Sequence, residues 1–199
     1  MNFLAHLWLA DRTGTSLAGS VLGDVVRGAD LSTYPPDVAL GVRLHRRVDA
    51  VTDRHPLSRQ LRAAFAAESR RYAGIVLDLA ADHALARDWP RYDAETLPAF
   101  AARAGLAIAE AGSWFEQAGG RRSSAAGFTR LLLSYGEEAG IDRALARTAT
   151  RLREPEPLLR AGSAWRETLP ALRAGLPDLL GDLVQAMRDY APMTDESGK

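Results

Sequence analysis

The chain contains no cysteine, which excludes thiolate metal sites, disulfides and cysteine nucleophiles and suits a reducing compartment. It carries no net charge, with 25 basic and 25 acidic residues, so it projects no global field of the kind that gathers nucleic acid. No apolar run approaches the ~20 residues of a membrane span, and the apolar opening MNFLAHLWLA lacks a positive leader and contains a histidine. The expectation is a soluble, cytoplasmic protein that binds neither nucleic acid nor membrane. Lysine is almost missing: all but one of the basic residues are arginine, the exception being Lys199. Histidine is absent after position 83. The G-x-S-x-G elbow, the Walker loop, the G-x-G-x-x-G turn and H-E-x-x-H are missing as well, and with them the chemistries they serve.

What is present reads as helix. A chain of 199 residues is most simply one domain with a full core, and no segment alternates with the period of two of a half-buried strand. Phe3 to Ala10 is apolar on all sides, as in a buried helix. Thr15 or Ser16 caps a helix running to Arg27 with Gly28 as its stop, and Pro35 and Pro36 suit the first turn of a long helix through Thr52. Asp53 and Pro56 start the next, Gly74 breaks it before a 75–88 segment, and Trp89-Pro90 ends that one. Further helices are expected at 97–117, 128–138, 140–152, 157–174 and 177–190, with a loop from Gly119 to Ser124. The fold expected is one all-α domain over 1–190, followed by a flexible C-terminal tail over 191–199.

Three of the four histidines (His6, His45, His55 and His83) travel with carboxylates. At ~100° per residue, Val38, Val42, His45, Asp49 and Thr52 share one stripe of the third helix, with Arg43, Arg47 and Arg54 roughly opposite. Asp24 shares a stripe with Leu17 and Val21, and Asp78 and Asp82 share one with Ile75, Leu85 and Trp89. Each acid has an ordinary reading: Asp24 with Arg27, Asp49 with Arg46 and Asp82 with Arg87 as ion pairs of roughly 0.3–0.5 kcal/mol. His6 taken alone reads as a hydrogen-bonded core histidine, Asp53 as an N-cap, and His55 as a solvated turn residue. Jointly, carboxylates and imidazoles on the inward stripes of several helices would repel one another unless a cation joins them. A divalent ion resolves this, and a carboxylate-rich set suits Mn²⁺ or Mg²⁺ better than zinc. The ligand candidates are Asp24, His45, Asp49, Asp78, Asp82 and His83, with His6 in support; Asp24, Asp82 and His83 are also the catalytic candidates.

A basic face accompanies them: Arg43, Arg46, Arg47 and Arg54, then Arg59, Arg62, Arg70 and Arg71. Guanidinium forks match phosphate oxygens and acidic protein surfaces. Arg27, Arg46 and Arg47 lie within a turn of proposed ligands and are the candidates for phosphate or substrate binding.

These residues also resemble a known family. MNFLAHL at the start, G-x-x-x-G-D-x-x-R-G at 19–28, PPD at 35–37, HRRVDxxTD at 45–53 and LDxxxDHxLxxxW at 77–89 are similar to the acyl carrier protein phosphodiesterases, bacterial hydrolases that remove the 4′-phosphopantetheine arm from acyl carrier protein. The similarity is dense over 1–90 and thins to scattered positions around Tyr135, Ile141, Leu145 and Arg151. The resemblance implies an all-helical fold related to divergent HD-domain phosphohydrolases, a divalent metal held by histidines and aspartates, and a small acidic protein substrate that the arginine face would dock. The adjacent pair is Asp82-His83, the reverse of the usual His-Asp order. Two alternatives stay open at this level: an HD-type phosphohydrolase acting on a nucleotide or other small phosphoester, and a non-enzymatic helical binding module.

Overall fold

The computed structural model describes residues 1–190; the tail expected over 191–199 lies outside the described residues. Among the described residues there are eleven α-helices, two short 3-10 turns and no strand, so the chain is all-α. The N-terminal helices are α1 (Phe3–Arg12), α2 (Leu17–Leu22), α3 (Pro36–Arg54), α4 (Pro56–Ala63) and α5 (Ala73–Arg87). They are followed by α6 (Leu97–Glu110), α7 (Gly112–Gln117), α8 (Ala125–Ser134), α9 (Glu138–Ala149), α10 (Glu156–Ser163) and α11 (Trp165–Tyr190). α5 is apolar around most of its circumference and is the central element, with α1, α4, α9, α10 and α11 packed against it. α3 lies between α2 and α11, and α6 packs on α8 and α2.

Several boundaries differ from those expected, each for a local reason. The helix expected from Ser16 to Arg27 stops at Leu22 and continues as a tight turn, with Asp24 N–H on the Val21 carbonyl and Val25 N–H on that of Leu22. Asp24 therefore sits on a turn rather than on a helical stripe. Gly74 does not break the chain: α5 begins at Ala73, and the open side of Gly74 admits the Arg62 guanidinium, 3.0 Å from where a Cβ would stand. The 97–117 segment is two helices separated at Ala111. The later helices expected at 128–138, 140–152 and 157–174 begin two to three residues earlier, or one for the last, and end earlier. Asp53 is not an N-cap but ends up paired with Arg62, and His55 takes the capping position of α4, its Nδ1 accepting the Leu57 N–H. His55 is also not solvated, since its Nε2 lies 3.3 Å from Asp182 of α11.

α11 was expected to divide before Pro177, yet it runs through both Pro170 and Pro177. Both prolines are exposed, and the carbonyls they leave without an N–H, those of Arg166 and Arg173, belong to exposed residues that water can serve. On the opposite face Thr168, Leu172, Leu176, Leu179, Leu180, Leu183 and Met187 form one buried stripe. Burying five leucines at about 2 kcal/mol each outweighs two prolines at about 3 kcal/mol each. The stripe wins.

The contact that sets the position of α3 is between glycines. A Cβ on Gly19 would lie 2.5 Å from the Val38 carbonyl oxygen and 2.9 Å from the Gly41 Cα; one on Gly41 would lie 2.8 Å from the Gly19 Cα. α2 and α3 thus touch backbone to backbone, and no flexible side chain stands ready to yield. Gly41→Ala is expected to force the helices apart at a cost of about 2–3 kcal/mol, lowering the melting temperature by roughly 5–10 °C for a domain of this size, as thermal denaturation would measure. An unchanged melting temperature would show that the crossing tolerates a methyl group.

Candidate metal centre

The glycine crossing places α3 so that the His45 ring lies under α2. His45 Nδ1 is 2.7 Å from the Ser20 carbonyl oxygen and donates to it, which leaves Nε2 to face the interior of the site. Gly23 is required here as well, since a Cβ would fall 2.3 Å from the His45 ring. One turn along α3, Asp49 receives both imidazoles: His45 Nε2 at 3.2 Å on one oxygen and His6 Nε2 at 3.1 Å on the other. The two rings stack at 4.0 Å between centroids, 19° from parallel. Asp24 approaches His45 Nε2 at 3.5 Å from the 23–25 turn. From α5, Asp78 lies 3.1 Å from the α-ammonium group of Met1, which is itself 3.5 Å from Asp49.

His6 reaches this cluster because α1 is anchored at its start. The N–H groups of Leu4 and Ala5 donate to the two oxygens of Asp82, at 2.7 and 3.0 Å, and Asp82 is wholly buried. Asp82 is therefore committed to the α1 backbone and does not pair with Arg87. His83 points elsewhere: its Nδ1 donates to the Tyr135 carbonyl at 2.7 Å, and its ring stands edge-on to Trp165 at 5.1 Å. So the structure brings together His6, His45 and Asp49, sets Asp24 and Asp78 beside them, keeps Asp82 behind α1, and separates His83 from the group. The histidine given only a supporting part in the sequence reading is central. Its signal was weak because a lone histidine in an apolar helix also describes an ordinary core residue.

The arginine candidates divide too. Arg46 is half-buried and its guanidinium donates to the Val26 carbonyl at 3.1 Å, bracing the turn that carries Asp24. Arg27 and Arg47 are exposed, as is Arg54, while Arg43 is half-buried.

Electrostatics separate the two imidazoles. Burial pulls His6 down to about 4 against the opposing bond from Asp49, so it is neutral at pH 7. Burial acts in the same sense on His45, but Asp24 and Asp49 together outweigh it and push its pKa up to about 9. Burial would raise Asp49, yet its bonds to His45 and His6 hold it well below the usual carboxylate range. Burial raises Asp82 to about 7 in spite of its two backbone N–H bonds. His6 and His45 side chains are 2% and 3% exposed, whereas those of Asp24, Asp49 and Asp78 are 46%, 44% and 36% exposed. The imidazoles form the floor and the carboxylates the open rim.

This donor set fits a divalent ion. One ligand atom each from His6, His45 and Asp49 lie within 4.8 Å of one another, close to the spacing that donors adopt around an ion at about 2.0–2.3 Å. The Ser20 carbonyl fixes His45 with Nε2 turned inward, as metal-bound imidazoles require. An ion held by His45 would have to displace its proton. Binding of a divalent ion at pH 7 is expected to release close to one proton per ion, with apparent affinity rising up to about tenfold per pH unit and levelling off above about pH 9. In the metal-free protein the sign is reversed. The raised His45 pKa contributes stability that is fully present below pH 6.5 and lost as the pH rises to about 9. Calorimetry in buffers of different ionisation enthalpy, with melting curves over that range, tests both; pH-independent binding would remove His45 from the ligands.

Fold and site together define an all-helical protein in which His6, His45 and Asp49 form a group that could hold a metal ion. The chain belongs to the acyl carrier protein phosphodiesterase family, whose model matches residues 1–183. A Salmonella dublin protein named acyl carrier protein phosphodiesterase is 46% identical over 110 residues, 55% of this chain and 57% of its own length. The Yersinia pestis protein of that name is 48% identical over 101 residues, 50% of this chain and 52% of its own. One from Escherichia coli O139:H28 is 49% identical over 89 residues, 45% of this chain and 46% of its own. The chain thus spans about half the length of the curated relatives it matches. No solved structure matches it.

Proposed function

We propose that the protein is a metal-dependent phosphodiesterase that hydrolyses the 4′-phosphopantetheine group from holo acyl carrier protein to give apo acyl carrier protein. The observation that carries this reading is the convergence of His6, His45 and Asp49, from two separate helices, in a chain of the acyl carrier protein phosphodiesterase family. Two imidazoles among carboxylates, with no cysteine thiolate in the chain, favour Mn²⁺ or Mg²⁺. Such an ion polarises a phosphoryl oxygen and lowers the pKa of a water molecule. His6, His45 and Asp49 hold it, with Asp24 and Asp78 as the carboxylates nearest to complete the set. Asp82 serves through α1, and His83 is left out of the ligands.

Asp24, exposed and close to His45, is placed to accept the proton of an attacking water. Arg27, three residues on from Asp24, is exposed and free to meet phosphate oxygens, while Arg46 holds the 23–26 turn in place and Arg47, on the other side of α3 from Asp49, faces outward with Arg54. Arg54 and Arg43, on the other side of α3 from Asp49, would meet an acidic protein partner. Incubation with holo acyl carrier protein and Mn²⁺, followed by intact-mass measurement, is expected to show conversion to apo carrier. Asp49→Asn is expected to lower kcat by at least a hundredfold, since it removes the charge shared by both imidazoles while leaving the helix intact. A wild-type protein that binds metal and leaves holo carrier unchanged would refute the substrate assignment.

The arginines separate docking from chemistry. Arg54→Glu is expected to raise KM several-fold with kcat little changed, and the effect should shrink with added salt because exposed charges are screened over about 8 Å. Arg27→Ala is expected to lower kcat instead. Equal kcat losses in both variants, measured at two salt concentrations, would show that docking surface and catalytic pocket are not divided in this way.

A further inference from the structure

α11 buries its leucine stripe and turns another face toward the start of α9 and the 3-10 turn that follows α5. Between them lies an open groove of about 560 Å³, within the range of small-molecule sites. Leu169, Pro170 and Ala174 form an apolar strip along it. Around the strip stand three guanidiniums, Arg91 from the 89–91 turn and Arg166 and Arg173 from α11. Glu138, the first residue of α9, is the one carboxylate among the lining residues. The groove shares no residue with the proposed metal centre. Asp88, which caps the end of α5, lies ten residues beyond Asp78 and so roughly 15 Å farther along that helix.

The guanidiniums are held from behind. Asp88, with a side chain only 12% exposed, accepts from Arg173 Nε and Nη2 at 2.8 and 2.6 Å. Arg91 Nη1 lies 3.7 Å from the same carboxylate. One half-hidden acid thus sets two arginines side by side. Arg166 is fixed by Glu138 at 2.6 Å and by Asp142 at 2.7 and 3.2 Å, with its guanidinium 4.6 Å from the centre of the Trp165 ring. A guanidinium carries five N–H donors. Asp88 takes two from Arg173, while Arg91 at 3.7 Å is ion-paired without a hydrogen bond. Most donors of that pair are therefore free, whereas Arg166 contributes charge more than donors.

Two adjacent forks call for more than a carboxylate, whose two oxygens are satisfied by one fork. A phosphate monoester offers three terminal oxygens and close to two negative charges. Glu138 does not repel it strongly, because its charge is offset by Arg166. The concave apolar strip suits a carbon skeleton of small-molecule size. We propose that this groove binds a small organic phosphate, its phosphate group held by Arg91 and Arg173 and its carbon skeleton lying on Leu169, Pro170 and Ala174. The site is independent of the metal and of the reaction assigned to it.

Calorimetric titration with inorganic phosphate and with phenyl phosphate, in EDTA so that no divalent ion takes part, tests this without turnover. The wild type is expected to bind both, and phenyl phosphate several-fold more tightly, since its ring adds contact with the apolar strip. Arg173→Gln is expected to raise both Kd values about tenfold or more, the scale of hydrogen bonds to a charged group. Arg91→Gln is expected to do the same, and because this side chain is 62% exposed the fold persists even where loss of the Asp88 partner unfolds the other variant. Asp49→Asn should bind as wild type does. A wild type that binds neither ligand, or an Arg91→Gln variant that binds both unchanged, overturns the proposal. So does loss of binding in Asp49→Asn, which would place the phosphate at the histidine cluster. Equal affinity for the two ligands would reject an organic phosphate as the occupant.

Discussion

The buried carboxylate of Asp82 is the interaction on which the geometry of the site depends. It lies in the centre of α5 and binds two N–H groups at the start of α1, 78 and 77 residues earlier in the chain. A helix N-terminus carries partial positive charge, so an anion there is stabilised by the field as well as by the two bonds. Because the bonded residues immediately precede His6, the carboxylate fixes the height at which that imidazole meets Asp49. Burial raises the pKa of Asp82 to about 7 even with these bonds, which measures how far the interior opposes the charge. An anchor of this kind holds α1 at one register. It also explains why an acid that looks like a ligand in sequence is occupied by backbone.

His6 and His45 share one carboxylate and are driven in opposite directions. The rings stack 4.0 Å apart, so a proton on one makes a proton on the other more costly. Asp24 decides which of them carries it, because it approaches His45 and not His6. The turn bearing Asp24 exists because α2 stops at Leu22, and it is held by the Arg46 bond to Val26. A helix boundary that misses its expected place by five residues thus sets the charge state of the site.

The all-helical fold was readable in the sequence, and so was the shared face of His45 and Asp49. The stripe joining His45 to Asp49 survives intact, since α3 is a long regular helix and regular helices obey their period. The helices that failed to follow the pattern are those where tertiary contact overrides local preference. Gly23 looked like an ordinary helical residue until the His45 ring was found against it, and Pro177 looked like a terminus until the leucine stripe was found to continue past it. Asp82 and His83 were adjacent and chemically suggestive, but one turned to the α1 backbone and the other to a carbonyl 52 residues away. Periodicity tells which face a residue occupies and nothing of which partner stands there.

α11 packs against α3, α4 and α5, and its Asp182 reaches His55 at the junction of α3 and α4. The residues proposed for the metal lie in the first 78 positions, whereas the helix that packs against the elements bearing them is made well after them. At about 5–20 residues per second, a ribosome needs several seconds to pass from Asp78 to the end of α11. Through that interval the nascent chain holds its imidazoles and carboxylates on helices whose apolar faces lack their final cover. Any metal binding by the growing polypeptide is therefore expected to be weaker than in the chain with α11 docked. The order of synthesis makes this a site that is written early and assembled late.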